Sequence, residues 1–287
     1  MLRIGTCSWK YESWEGIVYS NKNSRNYLKE YSQKYNTVEI DQWFWSLFPP
    51  AKVVLPQKNV VADYKKFVPD DFLFTIKVPN SITLTHFYKD SKDDTIKPNP
   101  FFLSLEIFEE FLNSIEPIKN QVGCLIFQFE YLNKQKMKSL PEFQMKFMEF
   151  HKQLNQKTPP IGIETRNPNY LNEKYFSFLS EQNLAPVFLE GYYMPPVNEV
   201  YSKYKNLVKD LAVIRLHGPD RKGIEKIAND NWNQIYINRD KEIKSILEMI
   251  QDLQSKEVDL FVNVNNHFEG SAPLTIEKIT SKIVSTS

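Results

Sequence analysis

The sequence predicts an α/β chain folded as a single (β/α)8 TIM barrel. Three observations carry that reading: short apolar, β-branched runs recur eight times, helical periodicities lie between them, and no Pro/Gly/Ser-rich linker divides the 287 residues. The expected strands are 2–9, 37–44, 72–79, 123–130, 161–167, 185–191, 211–218 and 260–267. Tyr27, Tyr31 and Tyr35 share one face of a first helix. Leu105, Phe108, Phe111, Leu112 and Ile115 form a stripe on a second, and Phe143, Phe147, Phe150 and Leu154 on a third. Ile243, Ile246, Leu247, Ile250 and Leu253 make the cleanest amphipathic set. Gly270-Ser271-Ala272-Pro273 supplies a serine cap and an early proline for a last helix. Strands alternating with helices imply parallel pairing through crossovers. Residues 1–287 are therefore read as one domain, with a long charged loop after the third strand at 86–101.

Composition excludes several classes of function. A net charge of +1 gives no general attraction to nucleic acid or to an anionic membrane, although a local basic cleft stays open. No apolar run reaches membrane-spanning length, and MLRIGTCSWK lacks a signal-peptide pattern. Two cysteines, Cys7 and Cys124, are too few for a disulfide framework, so a reducing, cytoplasmic setting is expected. None of the eight glycines forms a G-x-G-x-x-G pattern. Gly218 to Gly223 approaches a phosphate loop, but Ile224 and Glu225 follow where Lys and Ser/Thr are required. No nucleotide cofactor is expected.

Period 2 along each strand sorts its residues into a helix-facing and an interior set. With Val38 and Ile40 outward, Glu39 and Asp41 point in; with Phe74, Ile76 and Val78 outward, Lys77 points in. The same rule places Gln128, Glu130, Glu164, Arg166, Arg215, His217, Asn263 and Asn265 inside. The first strand cannot be assigned a face, and Glu190 ends a sixth strand of unclear facing. Charge inside a barrel must pair or meet a ligand. One reading is a salt-bridge plug, with Glu39 and Glu164 set against Lys77, Arg166 and Arg215. The other, favoured for the ring as a whole, is a ligand site at the C-terminal rim.

These residue types suit an enzyme, a hydrolase or lyase, acting on a small anionic or sugar-like ligand. Arg166 and Arg215 match a phosphate or carboxylate, and Asn263 and Asn265 match hydroxyls or amides. Glu39 and Glu164 would divide the acid and base roles, with Asp41 tuning them. Lys77 suits a Schiff base, although ion pairing is the plainer reading. Trp9, Trp43 and Trp232 offer stacking faces or ordinary rim packing. His86, His217 and His267 follow strands three, seven and eight, which raises a metal-dependent phosphodiester hydrolase as an alternative. No ligand spacing specifies a metal, so no metal ligand is assigned. A non-catalytic barrel binding nucleic acid or a small ligand is the third reading.

Seven segments occur in an order that resembles the YecE-like family, domain of unknown function 72: GTCSWKYESWEGIVY, TVEIDQWFW, FLFTIKVPNSITLTH, LIFQF, IGIETRNPNY, VIRLHG and VNVNNHFEGSAP. The resemblance spans essentially the whole chain. It implies a TIM barrel and assigns no reaction. Positions matching the family pattern include Trp9, Glu39, Phe44, Lys77, His86, Gln128, Glu164, Arg166, Arg215, His217, Asn263 and Asn265. Asp41 stands where the family usually has Asn, and Asn167 where it usually has His.

Overall fold

The computed structural model describes residues 1–20, 25–88 and 95–284. Within them, eight parallel strands close into a barrel. They are β1 (Leu2–Cys7), β2 (Thr37–Ile40), β3 (Leu73–Lys77), β4 (Val122–Phe129), β5 (Ile161–Thr165), β6 (Ala185–Gly191), β7 (Leu211–Gly218) and β8 (Asp259–Val264). Each strand pairs with its neighbours in sequence, and β8 returns to β1 with Leu2 opposite Leu260 and Thr6 opposite Val264. The principal crossover helices are α1 (Tyr27–Lys34), α2 (Lys58–Phe67), α3 (Leu105–Ser114), α4 (Leu140–His151), α5 (Glu173–Glu181), α6 (Val197–Tyr204), α7 (Asp240–Ser255) and α8 (Ala272–Val284). Among the described residues, no helix is long and apolar enough to cross a membrane.

Local chemistry starts several of these helices. Asn26 Oδ1 accepts the Lys29 N–H, Ser104 Oγ the Ile107 N–H and Asn172 Oδ1 the Tyr175 N–H. At α4, Ser139 Oγ accepts the Glu142 N–H while Glu142 reaches back to the Lys138 N–H. That reciprocity closely resembles a capping box. The start of α8 differs from expectation. The Ser271 hydroxyl is buried without a hydrogen bond among the described residues, and Asn266 Oδ1 accepts the Ala272 N–H instead, at 2.9 Å.

Two apolar layers sandwich the strands. The outer one fills the space between strands and helices and contains the helical stripes read from the sequence, except Leu105. Its densest part is a phenyl cluster between β4 and α4. There, Phe129 meets Phe143 edge-on at 4.8 Å and Phe127 meets Phe147 at 5.5 Å. The inner layer is small: Cys124, Ile126, Val187, Val213 and Phe261 plug the lower barrel. Gly123 makes room for it, since a Cβ there would lie 2.2 Å from the Phe261 ring.

β2 is shorter than its hydrophobic pattern suggests. It stops at Ile40, where Asp41 turns into the right-handed helical region and Gln42–Phe44 winds a single 3-10 turn. The three aromatics therefore leave the sheet and form part of the rim. In the long loop after β3, residues 89–94 lie outside the described residues. Its base is pinned by Asn99 Nδ2, which donates to the Ser81 and Leu84 carbonyls at 2.8 and 2.7 Å.

Tyr31 ties α1 to the barrel. Its hydroxyl accepts the Thr6 N–H at 2.9 Å and donates to the Thr37 carbonyl at 3.0 Å, both in the buried interior. Tyr31→Phe strands these backbone groups. The expected loss is about 1–3 kcal/mol in chemical denaturation, and an unchanged midpoint would show that another donor replaces the phenol.

Candidate functional site

Above the apolar plug, the strands present a layer of polar side chains. Strand register sets it: Glu39 lies opposite Thr75, Gln128 opposite Glu164, and Arg215 between Leu189 and Asn263. Arg215 is the centre. Its Nε and Nη2 donate to the two oxygens of Glu39 at 2.7 and 2.6 Å. Its Nη1 donates to Glu164 and, at 3.1 Å, to Gln128 Oε1. Arg166 Nε takes the other oxygen of Glu164 at 2.6 Å, and Arg166 Nη2 reaches Gln128 Oε1 at 3.2 Å. Asn263 Nδ2 completes the layer by donating to Glu39 and to Thr75 Oγ1, each at 3.0 Å.

Two carboxylates thus face two guanidiniums, and the layer is electrically neutral. Neutrality is what permits its burial, because an isolated ion there would cost several kcal/mol. Burial alone pushes Glu164 up, but Arg166 and Arg215 outweigh it and hold the group at about 2. Arg215 has Nε and both terminal nitrogens engaged and is essentially closed to solvent. Arg166 differs: its Nη1 makes no hydrogen bond among the described residues, its side chain is 20% exposed, and its guanidinium lies 4.6 Å from the Tyr192 ring centroid.

A second tier sits closer to the mouth. Lys77 Nζ lies 3.9 Å from the Phe44 ring centroid, and no carboxylate among the described residues is within ion-pair distance of it. Burial and the charge of Arg215 lower Lys77 to about 8, against the pull of Glu39, Glu164 and Asp41. Asp41 likewise has no cation within ion-pair distance among the described residues. Burial and the charge of Glu39 raise it to about 6. Beside these, Cys7 Sγ lies 3.7 Å from His217 Nε2, and the Tyr192 hydroxyl lies 3.2 Å from His217 Nδ1. Burial and nearby Arg215 hold His217 well below its usual value, and burial pushes the Cys7 thiol well up. The pair is neutral, a thiol next to an imidazole.

The remaining expected residues lie apart from this centre. Trp9 is buried against Tyr64 at 5.3 Å, while Trp43 stacks on the same ring at 5.6 Å, so both contribute to packing. His86 bonds Thr85 Oγ1 at 2.9 Å within the loop after β3. Asn265 Oδ1 accepts the His267 N–H at 2.9 Å. His267 pairs with Glu225 at 3.2 Å. The histidines therefore go to separate partners, and among the described residues no three His, Cys, Asp or Glu side chains could hold a metal ion. Donors for the metal-dependent alternative are not assembled there. Glu190 accepts the Val197 N–H at 2.9 Å and starts α6, outside the ring. Asn167, the departure from the family pattern, bonds the N–H and carbonyl of Leu132 at 2.8 and 3.0 Å and ties the β4 and β5 loops together.

Of three further contributors, Tyr192 and Thr75 were not singled out from the sequence, and Phe44 stood there only as a position matching the family pattern. Tyr192 holds His217 and covers Arg166, Phe44 covers Lys77, and Thr75 receives Asn263. Thr75 was legible, two residues before Lys77 on the same face. Tyr192 follows the last residue of β6 directly, which was its one signal. Around the mouth, Trp45, Tyr88, Tyr131 and Tyr193 are exposed, from the loops after β2, β3, β4 and β6. A cleft of about 750 Å³ opens there, lined by Tyr131, Arg166, Asn169, Tyr192, Tyr193 and Met194. Another hollow of about 490 Å³, touching Gly123 and Phe261, lies under the apolar plug at the other end of the barrel. Asp41 and Lys77, partly buried and without an ion-pair partner among the described residues, lie at the upper end, which makes that end the candidate site.

The model of the family described as "Protein of unknown function DUF72" matches residues 3–286. A DUF72 family protein from Thermotoga maritima is 19% identical, with a TM-score of 0.66 and 99% of each chain covered. One from Enterococcus faecalis is 21% identical, with a TM-score of 0.67, covering 98% of this chain and 96% of its own. Likeness at this identity speaks to the fold. No curated protein matches the chain.

The neutral layer yields a stability test. Arg215→Met leaves Glu39 and Glu164 buried with too little positive charge and should cost about 3–5 kcal/mol in chemical denaturation. A loss within about 0.5 kcal/mol would show that water or rearrangement compensates the acids.

Proposed function

The chain belongs to the DUF72 family, and from that premise we propose that it is an enzyme acting on a small polar ligand at the C-terminal rim. The ligand carries an anionic group. One observation supports this reading above the others: the ionisable groups divide into a lower, fully paired tier and an upper pair, Asp41 and Lys77, shifted toward neutrality from opposite sides. Groups tuned in this way are suited to exchanging protons near neutral pH. Arg166 is the cation with an open edge into the cleft, and it takes the anion. Tyr131 and Tyr193 offer faces for the rest of the ligand. Glu39 and Glu164, expected to act as acid and base, serve by fixing Arg215 and Arg166 and by biasing the upper pair.

A binding barrel without catalysis is the second reading, favoured by the exposed aromatics at the mouth. Turnover separates the two. Asp41→Asn and Lys77→Met should abolish turnover, while Arg166→Met weakens ligand binding.

The pH profile follows from the two shifts. Activity requires one of the pair protonated and the other not, so it rises as pH passes about 6 and falls as it passes about 8. Assigning acid and base the other way round gives the same bell. Steady-state rates across that range check it, and a profile flat through both values would remove Asp41 and Lys77 from the chemistry.

A further inference from the structure

Lys77 is an amine among the acids Glu39, Glu164 and Asp41, and among the described residues it is bonded to none of them. The oxygens of Glu39 go to Arg215, and those of Glu164 go to Arg215 and Arg166. Phe44, carried over it by the 3-10 turn after β2, packs its ring on Nζ at 3.9 Å. The side chain remains partly open to the mouth that holds Asp41. A lysine kept for structure alone would be expected to pair with the nearest carboxylate. Here the arginines occupy those carboxylates, and the amine is left at the floor of the site.

We infer that Lys77 is a nucleophile that forms an imine with a small aldehyde or ketone bearing a carboxylate or phosphate, the anion being held by Arg166. This deepens the proposed function and rests on it. The Lys77 lone pair forms the C–N bond to the carbonyl carbon. The carbonyl oxygen leaves as water with two protons, one from the amine and one from the Asp41 carboxylic acid. The products are a protonated imine, water and the Asp41 carboxylate, so charge and atoms balance. The protonated imine draws electrons from the adjacent carbon, and the Asp41 carboxylate is placed to accept a proton from it. Cys7 is the other nucleophile in the mouth, but its thiol is buried beside a neutral imidazole and stays protonated.

Reductive trapping tests the inference. The full chain is incubated with pyruvate or with dihydroxyacetone phosphate in the presence of cyanoborohydride, and the secondary amine is located by peptide mass spectrometry. The two probes distinguish a carboxylate from a phosphate ligand. Labelling of Lys77 should exceed that of any other lysine by roughly tenfold. It should fall in Arg166→Met, which checks the role of the anion. Lys77→Arg, which keeps the charge, should still bind the anion yet form no adduct there. Even labelling over the surface lysines, or none, overturns the imine. If anion binding in that case still depends on Arg166, the proposed rim site stands; if that binding is absent too, both readings fall.

Discussion

The contact on which the rest of the site depends is the clamp of Glu39 and Glu164 on Arg215. It joins β7 to β2 and to β5, none of them neighbours, across the interior of the barrel. Because both terminal nitrogens and Nε of the guanidinium are engaged, the clamp fixes where three strands end relative to one another. A hydrophobic layer of the same volume is often at least as stable as buried ions, so the contribution of the clamp is read as one of positioning. The clamp holds Arg166 against Glu164 with one edge free, and it settles which acids are taken and which group is left over.

The clamp also acts at a distance on the groups above it. The positive charge of Arg215 lowers Lys77, and the negative charge of Glu39 raises Asp41. Burial is the larger cause in both, and other charges of the layer oppose it: Glu39 and Glu164 raise Lys77, and Arg215 lowers Asp41. A rigid lower tier with a tuned upper tier is the arrangement that preorganised sites require. Phe44 belongs to the same logic, because the turn that ends β2 places its ring on the amine and keeps one side of it dry.

The barrel and its inward ring were legible from the sequence because a strand has period 2 and a one-residue slip would bury the wrong face. Glu39, Lys77, Gln128, Glu164, Arg215 and Asn263 all lie where that rule puts them. The sequence leaves open whether these charges pair with one another or face a ligand, since that depends on distances across the interior that no spacing along the chain encodes. Arg215 faces the two acids that the salt-bridge reading set against it, whereas Lys77, set against the same acids, has no carboxylate within ion-pair distance among the described residues. Asp41 looked secondary to Glu39 by family pattern, yet Glu39 is paired with Arg215 and Asp41 has no cation within ion-pair distance among the described residues. Helices α2, α5 and α6 were missed as well. Only Val61 is buried in α2, too little to set a helical stripe apart.

Asp41 is held in a place that suits its acid form, at a cost to the fold. The most direct measurement is the unfolding free energy of the intact protein and of Asp41→Asn across pH. The folded value of the carboxyl, about 6, lies above its ordinary 3.8, so the folded chain loses stability as pH rises between the two. Above about 6 the Asn variant should be the more stable protein, and below 3.8 the difference should vanish. A variant that is less stable than the parent at neutral pH would contradict the account, because Asp41 would then be a structural partner of a cation.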